Sequence, residues 1–170
     1  MPISTAWGGC TAVTESAHEL PRQGRLAGID FGTVRIGVAI SDAQQSLASP
    51  LVTYNRRNER LDGQFFLELA EREQIVGFVV GLPVHLSGHD SQSARRATEF
   101  GTWLRELTNR PVAFCDERFT SSWAEEILQA SGATKKKRRQ LLDKLAAQIL
   151  LSAYLESTRQ SDNNLRGIDE

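Results

Sequence analysis

The stretch Arg25-Leu-Ala-Gly-Ile-Asp-Phe-Gly-Thr-Val-Arg-Ile-Gly-Val-Ala-Ile-Ser41 decides the fold of this chain. Two short β-type runs, residues 25–30 and 35–41, flank the connection Phe31–Val34. A connection of this length that contains a glycine is typical of a β-hairpin. The run Leu51–Tyr54 predicts a third strand, so the chain opens with an antiparallel three-strand meander.

Downstream of the meander, strands alternate with helices. The predicted elements are a helix capped by Asp62 with Phe65, Phe66, Leu69 and Ala70 facing the core, a strand at Ile75–Leu82, a helix at Ser91–Thr108, a strand at Pro111–Cys115, a helix at 122–131 that Gly132 stops, and a last helix from about Arg139 to Ser157. The nearly continuous apolar run of the fourth strand is typical of a strand buried on both faces. The order predicts an α/β or α+β fold around one mixed sheet, with parallel strands added to the meander and helices on both faces.

The length of 170 residues suits a single domain. Residues 1–24 carry glycines and prolines without sustained periodicity, and we expect a flexible leader there. The domain itself is predicted to span residues 25–158, and residues 159–170 form a polar tail.

The composition excludes several classes of protein. Lys and Arg number 20 against 21 Asp and Glu, a net charge of −1, so no global positive field points to nucleic acid; this weakens a nucleic-acid function without excluding it, because local patches matter more than totals. No apolar run approaches the length of about 18 residues needed for a membrane span, and no phosphate-binding P-loop or dinucleotide fingerprint occurs. Cys10 and Cys115 do not make a disulfide framework, so we expect a protein of the reducing cytoplasm with no membrane partner.

Four carboxylates occupy positions where a solvated charge is not expected. Asp30 ends one apolar strand, and Asp116 and Glu117 end another. Asp143 lies in the last helix at helical spacing from Ala147. Carboxylates gathered at strand ends need a cation between them, and all-oxygen ligands favour Mg²⁺ or Mn²⁺. Spacing alone leaves open whether these residues meet or serve as ordinary turn and helix-rim residues.

Two features could bind phosphate. The hairpin turn at Gly32 and Thr33 could present backbone N–H groups to an anion, with Arg35 beside it and Arg118 beside the second acidic pair. A basic run precedes the helix that carries Asp143, and it consists of Lys135, Lys136, Lys137, Arg138 and Arg139. Such a run gives affinity for a phosphate backbone without sequence readout. A simply solvated run, and an Arg118 paired with its own neighbours, are the alternatives.

Four segments in register resemble the YqgF (RuvX) family. They are Asp30-Phe-Gly-Thr-Val-Arg-Ile-Gly-Val-Ala39, Val80-Gly-Leu-Pro83, Asp116-Glu-Arg-Phe-Thr120 and Asp143-Lys-Leu-Ala-Ala147. The resemblance covers about residues 25–157 and implies an RNase H-like fold. His85 and Ser87 depart from residues common in the family, as does Phe119-Thr-Ser121, and these departures concern substrate contacts.

By that resemblance, Asp30, one carboxylate of the Asp116–Glu117 pair and Asp143 correspond to the metal-binding acidic triad of RNase H-like nucleases. Strand alternation lets only one of Asp116 and Glu117 point inward. We favour Glu117, with Asp116 as its competitor.

The implied function is a metal-dependent nuclease that hydrolyses phosphodiester bonds and processes the 5′ end of pre-16S rRNA in ribosome biogenesis. Two alternatives stay open: a Holliday junction resolvase acting on branched DNA, and a non-catalytic RNA-binding factor of ribosome assembly. A sugar-kinase-like phosphotransferase also opens with an Asp-x-Gly-Thr hairpin, but it needs two such domains. The partner is nucleic acid in each nuclease reading, and the sequence leaves monomer or homodimer open.

Overall fold

The hairpin stretch forms the middle of a five-stranded sheet. A computed structural model describes residues 20–83, 92–116 and 134–166, together with Gln129 and Gly132. The strands are β1 (Arg25–Phe31), β2 (Arg35–Ser41), β3 (Ala48–Asn55), β4 (Ile75–Leu82) and β5 (Val112–Asp116). The helices are α1 (Glu59–Arg72), α2 (Gln92–Thr108) and α3 (Lys135–Arg166).

The strands lie side by side in the order β3-β2-β1-β4-β5. β1 pairs antiparallel with β2, and β2 with β3, whereas β4 is parallel to both β1 and β5. The predicted meander with added parallel strands is therefore confirmed. Because β1, β4 and β5 are parallel, their C-terminal ends lie along the same side of the sheet; we call this side, which runs across the strand ends, the carboxyl edge.

Helices cover both faces of the sheet, as the sequence predicted. α1 and α2 pack on one face, the helix-pair face, and contribute Phe66, Leu69, Ala70, Ala97, Phe100 and Leu104 to its core. α3 packs on the other, the α3 face, with Ala147, Leu150, Leu151 and Leu155 buried against it. Burying a side chain such as Phe66 or Leu151 contributes about 1.5–3 kcal/mol, so these two cores fix where each helix lies.

Helix α1 begins earlier than the sequence predicted. Its N-cap is Asn58, whose side chain accepts a hydrogen bond of 3.0 Å from the backbone N–H of Leu61. Asp62 is therefore not the cap but a residue of the first turn, and it is only 1% exposed. The prediction failed because both residue types favour caps, and it overlooked that Asp62 shares a helical stripe with Phe66 and Leu69.

Helix α3 extends past both predicted ends. It starts at Lys135, so the basic run 135–139 forms its first turns instead of preceding it. It also continues through Arg166, beyond the end predicted near Ser157. Lys and Arg are good helix formers, which explains the earlier start, but the added C-terminal residues include Ser161, Asp162 and two asparagines, and their own helix propensity does not explain the later end. The helix predicted at 122–131 falls outside the described residues except for Gln129, and the division into leader, domain and tail stays a prediction.

The first described residues pack against the domain. Leu20 is buried in the core of the α3 face, and the backbone N–H of Gly24 donates to the carbonyl of Ala43 at 2.8 Å. Cys115 is disulfide-bonded, which the long sequence separation of the two cysteines did not indicate; Cys10 lies outside the described residues. Among the described helices, none has the length and apolarity to cross a membrane.

Candidate active site

Asp30 lies at the carboxyl edge, near the end of the central strand. Its neighbours Ile29 and Phe31 pack into the core of the helix-pair face. Side chains alternate along a strand, so Asp30 belongs to the α3 face. The residue two positions earlier, Gly28, confirms this assignment because it contacts Ala147 and Leu151 of α3. Asp30 is half-buried, and it pairs across the hairpin with Gly37.

Helix α3 runs antiparallel to β1, with its first turns toward the carboxyl edge. At the opposite edge, Asp162 pairs with Arg22 at 3.3 Å. In the middle of the sheet, Gly28 meets Ala147. Position 143 is one helical turn before Ala147 on the same helical face, just as Asp30 is one step of alternation beyond Gly28. The backbone therefore carries Asp143 toward the end of the sheet at which Asp30 lies; the side chain of Asp143 is outside the described set.

Asp116 lies on the other face of the sheet. It pairs in register with Leu82, which belongs to the core of the helix-pair face. The preceding residue, Cys115, belongs to the core of the α3 face. Asp116 is 3% exposed, and strand β4 separates it from Asp30. The structure thus does not bring Asp30 and Asp116 together on one face. Glu117 and Arg118 lie outside the described residues.

The hairpin turn is tightly built. A Cβ atom added to Gly32 would lie 2.3 Å from the carbonyl oxygen of Arg35, so only glycine fits there. Thr33, Val34 and Arg35 are exposed. The backbone N–H of Arg56 donates to the carbonyl of Val34 at 2.9 Å, which anchors the turn to the segment after β3. The predicted phosphate-binding residues of the turn therefore lie beside Asp30 at the carboxyl edge.

The basic run also points to the carboxyl edge, because it forms the start of α3. Lys135 and Lys137 are exposed, and no acidic residue occupies the first turn. Positive charge at a helix N-terminus opposes the helix dipole. The run is therefore unfavourable for the helix itself, which supports a role in binding an anion. The side chains of Lys136, Arg138 and Arg139 are outside the described set.

The described residues supply part of an oxygen ligand set. Within residues 20–83, 92–116 and 134–166, no group of three or more His, Cys, Asp or Glu side chains could hold a metal. Asp30 is a half-buried carboxylate at a strand end, and such an oxygen donor suits a hard divalent cation. The residues that would complete the set, Glu117 and Asp143, are those whose side chains the structure does not describe.

Sequence reasoning missed a second acidic centre, on the helix-pair face. Asp62 accepts hydrogen bonds from Tyr54 Oη at 2.8 Å and from the backbone N–H of Arg57 at 3.0 Å. Its second oxygen accepts from Arg56 Nε at 3.2 Å. The signal was available in the sequence, since Asp62 shares a helical stripe with Phe66 and Leu69 and so was due to be buried.

The environment of Asp62 favours its charged form. Burial by itself raises the pKa of this carboxyl, but hydrogen bonds from Arg57, Tyr54 and Arg56 outweigh burial and hold the pKa below its usual value. Burial and the adjacent Asp62 charge raise the pKa of Tyr54. Asp62 is thus an ionised group that fixes the position of the Arg56 guanidinium.

A cavity of about 550 Å³ opens between this centre and helix α2. Its wall is formed by Phe31, Thr33, Arg56, Glu59, Asp62, Arg96, Glu99, Phe100 and Trp103. These residues lie in, or directly beside, strands and helices that begin or end at the carboxyl edge. The cavity and Asp30 therefore lie on opposite faces of the sheet but at the same edge.

A mixed sheet of this order, with helices on both faces and an aspartate at the end of its central strand, defines an RNase H-like fold. Thermus thermophilus RuvC, solved in complex with a Holliday junction substrate, shares that fold with a TM-score of 0.56 and 16% sequence identity. The match covers 81% of this chain and 96% of that one. The chain belongs to the RuvX family, described as Holliday junction resolvase, whose model matches residues 24–157.

Relatives of known name support the same assignment. A Rhodopirellula baltica protein named "Putative pre-16S rRNA nuclease" is 42% identical over 149 residues, which are 88% of this chain and 86% of that protein. A Koribacter versatilis protein of the same name is 42% identical over 146 residues, 86% of this chain and 90% of that protein. The family and the fold predicted from the sequence are confirmed.

Proposed function

We propose that this chain is a metal-dependent nuclease that hydrolyses phosphodiester bonds at the 5′ end of pre-16S rRNA. The position of Asp30 carries the proposal: a half-buried carboxylate at the end of the central strand, on the face along which α3 brings Asp143. The names of the relatives favour pre-16S rRNA as the substrate. Cytoplasmic action follows from that substrate.

Asp30, Glu117 and Asp143 would hold Mg²⁺ or Mn²⁺. Asp116 faces the helix pair and is separated from Asp30 by β4, which favours Glu117 as the second carboxylate. When bound, the cation would neutralise charge that develops on the phosphate oxygens and lower the pKa of water. Because all three ligands are carboxylates, their mutual repulsion in the absence of a cation also makes the site a strong cation binder.

The remaining residues of the carboxyl edge would position the RNA. The turn at Gly32 and Thr33, with Arg35, lies on one side of Asp30. The basic run that starts α3 approaches from the other, with Lys135 and Lys137 exposed. A phosphate backbone that crosses the edge between the two would meet positive charge on both sides of the scissile bond. Arg118 would add a phosphate contact next to Glu117.

A side-by-side cleavage assay tests the proposed substrate. Purified protein is incubated with a pre-16S rRNA fragment that retains its 5′ extension and with a four-way DNA junction, in Mg²⁺ or Mn²⁺ and in EDTA. We expect cleavage of the RNA alone, stopped by EDTA. Symmetric cuts in the junction would instead favour a resolvase, the description of the family, and would call for a homodimer with two active sites.

Binding without cleavage would favour the third reading, a ribosome-assembly factor that keeps the fold. In that case RNA would be retained in a gel-shift assay, and no product would form with either metal. Size-exclusion chromatography with light scattering on the same preparation distinguishes monomer from homodimer. A strict monomer would oppose the resolvase.

A further inference from the structure

We infer that the cavity on the helix-pair face holds an unpaired nucleobase of the RNA strand whose backbone crosses Asp30. This inference rests on the proposed function and adds a second contact site to it. The two sites share the β1–β2 hairpin, since Asp30 faces α3 while Phe31 and Thr33 line the cavity. An RNA strand that crosses the β1–β2 hairpin at the carboxyl edge can therefore contact both faces of the sheet.

The shape and walls of the cavity suit a planar aromatic ligand. Its volume of about 550 Å³ is in the range of small-molecule sites. The Trp103 ring packs against the ring of Phe66, with the ring centroids 6.3 Å apart, and against the ring of Phe100, with the centroids 5.4 Å apart. Phe31 lies 4.8 Å from Phe100 on the same side. Aromatic walls fixed in this way are the platforms on which proteins stack the bases of single strands.

Arg56 adds an oriented cation to the wall. Its Nε donates to Asp62, and its guanidinium carbon lies 5.2 Å from the centre of the Phe31 ring. The side chain is 30% exposed, so the guanidinium is anchored at one end and accessible at the other. A guanidinium plane held in this manner can stack on a base or donate hydrogen bonds to its edge.

The charge of the cavity selects a base over a phosphate. Arg56 and Arg96 line it together with the carboxylates Glu59, Asp62 and Glu99, so acidic groups outnumber basic ones. A phosphate would meet net repulsion there. A nucleobase is neutral and presents both donors and acceptors, which matches a wall that carries both guanidinium and carboxylate groups. The phosphates of the RNA would instead contact the basic residues at the start of α3.

Fluorescence anisotropy with labelled single-stranded RNA tests the inference. The assay is run in EDTA so that nothing is cleaved, with one mixed-sequence oligonucleotide and the same oligonucleotide made abasic throughout. We expect Trp103→Leu to weaken binding of the normal RNA roughly tenfold, the loss typical of one stacked base. Binding of the abasic RNA should change by less than about twofold, because the base that Trp103 contacts is missing.

A second pair of variants keeps the test decisive if Trp103→Leu folds poorly. Arg96 lines the cavity, while Arg95 is also exposed on α2 but is not among the lining residues. We expect Arg96→Ala to weaken binding of the normal RNA about tenfold, as for loss of a hydrogen bond from a charged group. The slope of log affinity against log salt concentration should stay unchanged, because no phosphate contact is lost. Arg95→Ala should bind like wild type.

The outcomes separate the inference from the proposed function. Wild-type binding that neither Trp103→Leu nor Arg96→Ala weakens would overturn the nucleobase site and leave the nuclease standing. A slope of log affinity against log salt that falls by about 0.7 in Arg96→Ala would show a phosphate contact and would also overturn the nucleobase site. Failure of the wild-type protein to bind any RNA would overturn both.

Discussion

Gly28 of β1 and Ala147 of α3 approach so closely that a Cβ atom added to Gly28 would lie 2.9 Å from the carbonyl oxygen of Ala147. The same Cβ would lie 2.7 Å from Leu151 Cβ. Contacts this short require the helix or the strand to move. Asp30 lies on the strand and Asp143 on the helix that meet at this contact, and both are toward the carboxyl edge from it. The geometry of the contact therefore sets the separation of the two candidate ligands.

We therefore predict that Gly28→Ala both destabilises the protein and slows cleavage. Overpacking of this kind costs about 1–3 kcal/mol. Urea unfolding followed by circular dichroism would give the free energy of unfolding, and single-turnover cleavage would give the rate. The matched control is Gly63→Ala in α1, where the added Cβ has only ordinary contacts, the nearest being 3.6 Å from Trp103. That change should stabilise by about 0.5–1 kcal/mol; equal behaviour of the two variants would refute the account of the close contact.

Asp62 should make stability depend on pH in acid. The folded-state pKa of this carboxyl is below its usual value. Its stabilisation is therefore complete above about pH 4, the ordinary pKa of an aspartic acid, and is lost as the pH falls through the folded pKa. Asp62→Asn should reduce the free energy of unfolding at pH 7 by about 1–3 kcal/mol.

The test of this pH dependence is the difference in unfolding free energy between wild type and Asp62→Asn from pH 7 to pH 2. We expect the difference to narrow below about pH 4. Asp162→Asn is the control, because Asp162 is half-exposed and forms only a surface ion pair with Arg22. A difference that stays constant down to pH 2 would show that the charge of Asp62 is not what stabilises the fold.

The choice between Glu117 and Asp116 predicts unequal effects on catalysis. Mutation of a residue that only hydrogen-bonds a metal ligand typically lowers activity about 10- to 100-fold. Glu117→Gln should lower the cleavage rate by more than this, because Glu117 is itself the proposed ligand. Asp116→Asn should retain measurable cleavage, because Asp116 faces the helix pair. Cleavage rates per folded molecule, with the folded fraction taken from thermal melts, provide the comparison. The reverse ranking would reassign the ligand to Asp116.

The basic start of α3 should govern the salt dependence of RNA binding. For single strands, each phosphate contact contributes about 0.7 to the slope of log affinity against log salt. Lys135→Gln together with Lys137→Gln should therefore lower that slope by roughly 1.4. Arg72→Gln is the control, since Arg72 ends α1 at the opposite edge of the sheet and is also exposed. An unchanged slope in the double variant would exclude these lysines from the RNA path.

The local pattern of the sequence predicted the hairpin and the buried strand β4, because alternation and apolar runs report on nearest neighbours. It was less accurate for β3, which extends over Ala48–Asn55 and includes Pro50. Proline is tolerated there because β3 is an edge strand. Edge position is a property of the whole sheet, which a single run of residues does not reveal.

In the candidate site, too, the local sequence pattern predicted some features, whereas others depend on the packing of the whole domain. Asp30 was predicted as an unusual carboxylate from its place at a strand end. That α3 packs against β1 through Ala147, and that Asp116 faces away, depends on which cores the two faces form. Asp62 was interpreted as a cap although its helical stripe indicated burial. For α3 and Asp116 the missing information was the long-range packing that places one element on another, whereas for Asp62 a signal in the sequence was overlooked.

The single-turnover rate of pre-16S rRNA cleavage by Asp30→Asn, beside wild type and Asp162→Asn, tests the central claim most directly. Asp30→Asn preserves size and removes one charge, and Asp162→Asn makes the same change at the far end of α3. With Mg²⁺ or Mn²⁺ present, we expect Asp162→Asn to cleave like wild type and Asp30→Asn to be inactive while it still melts as a folded protein. Cleavage by folded Asp30→Asn at the wild-type rate would contradict an active site at Asp30.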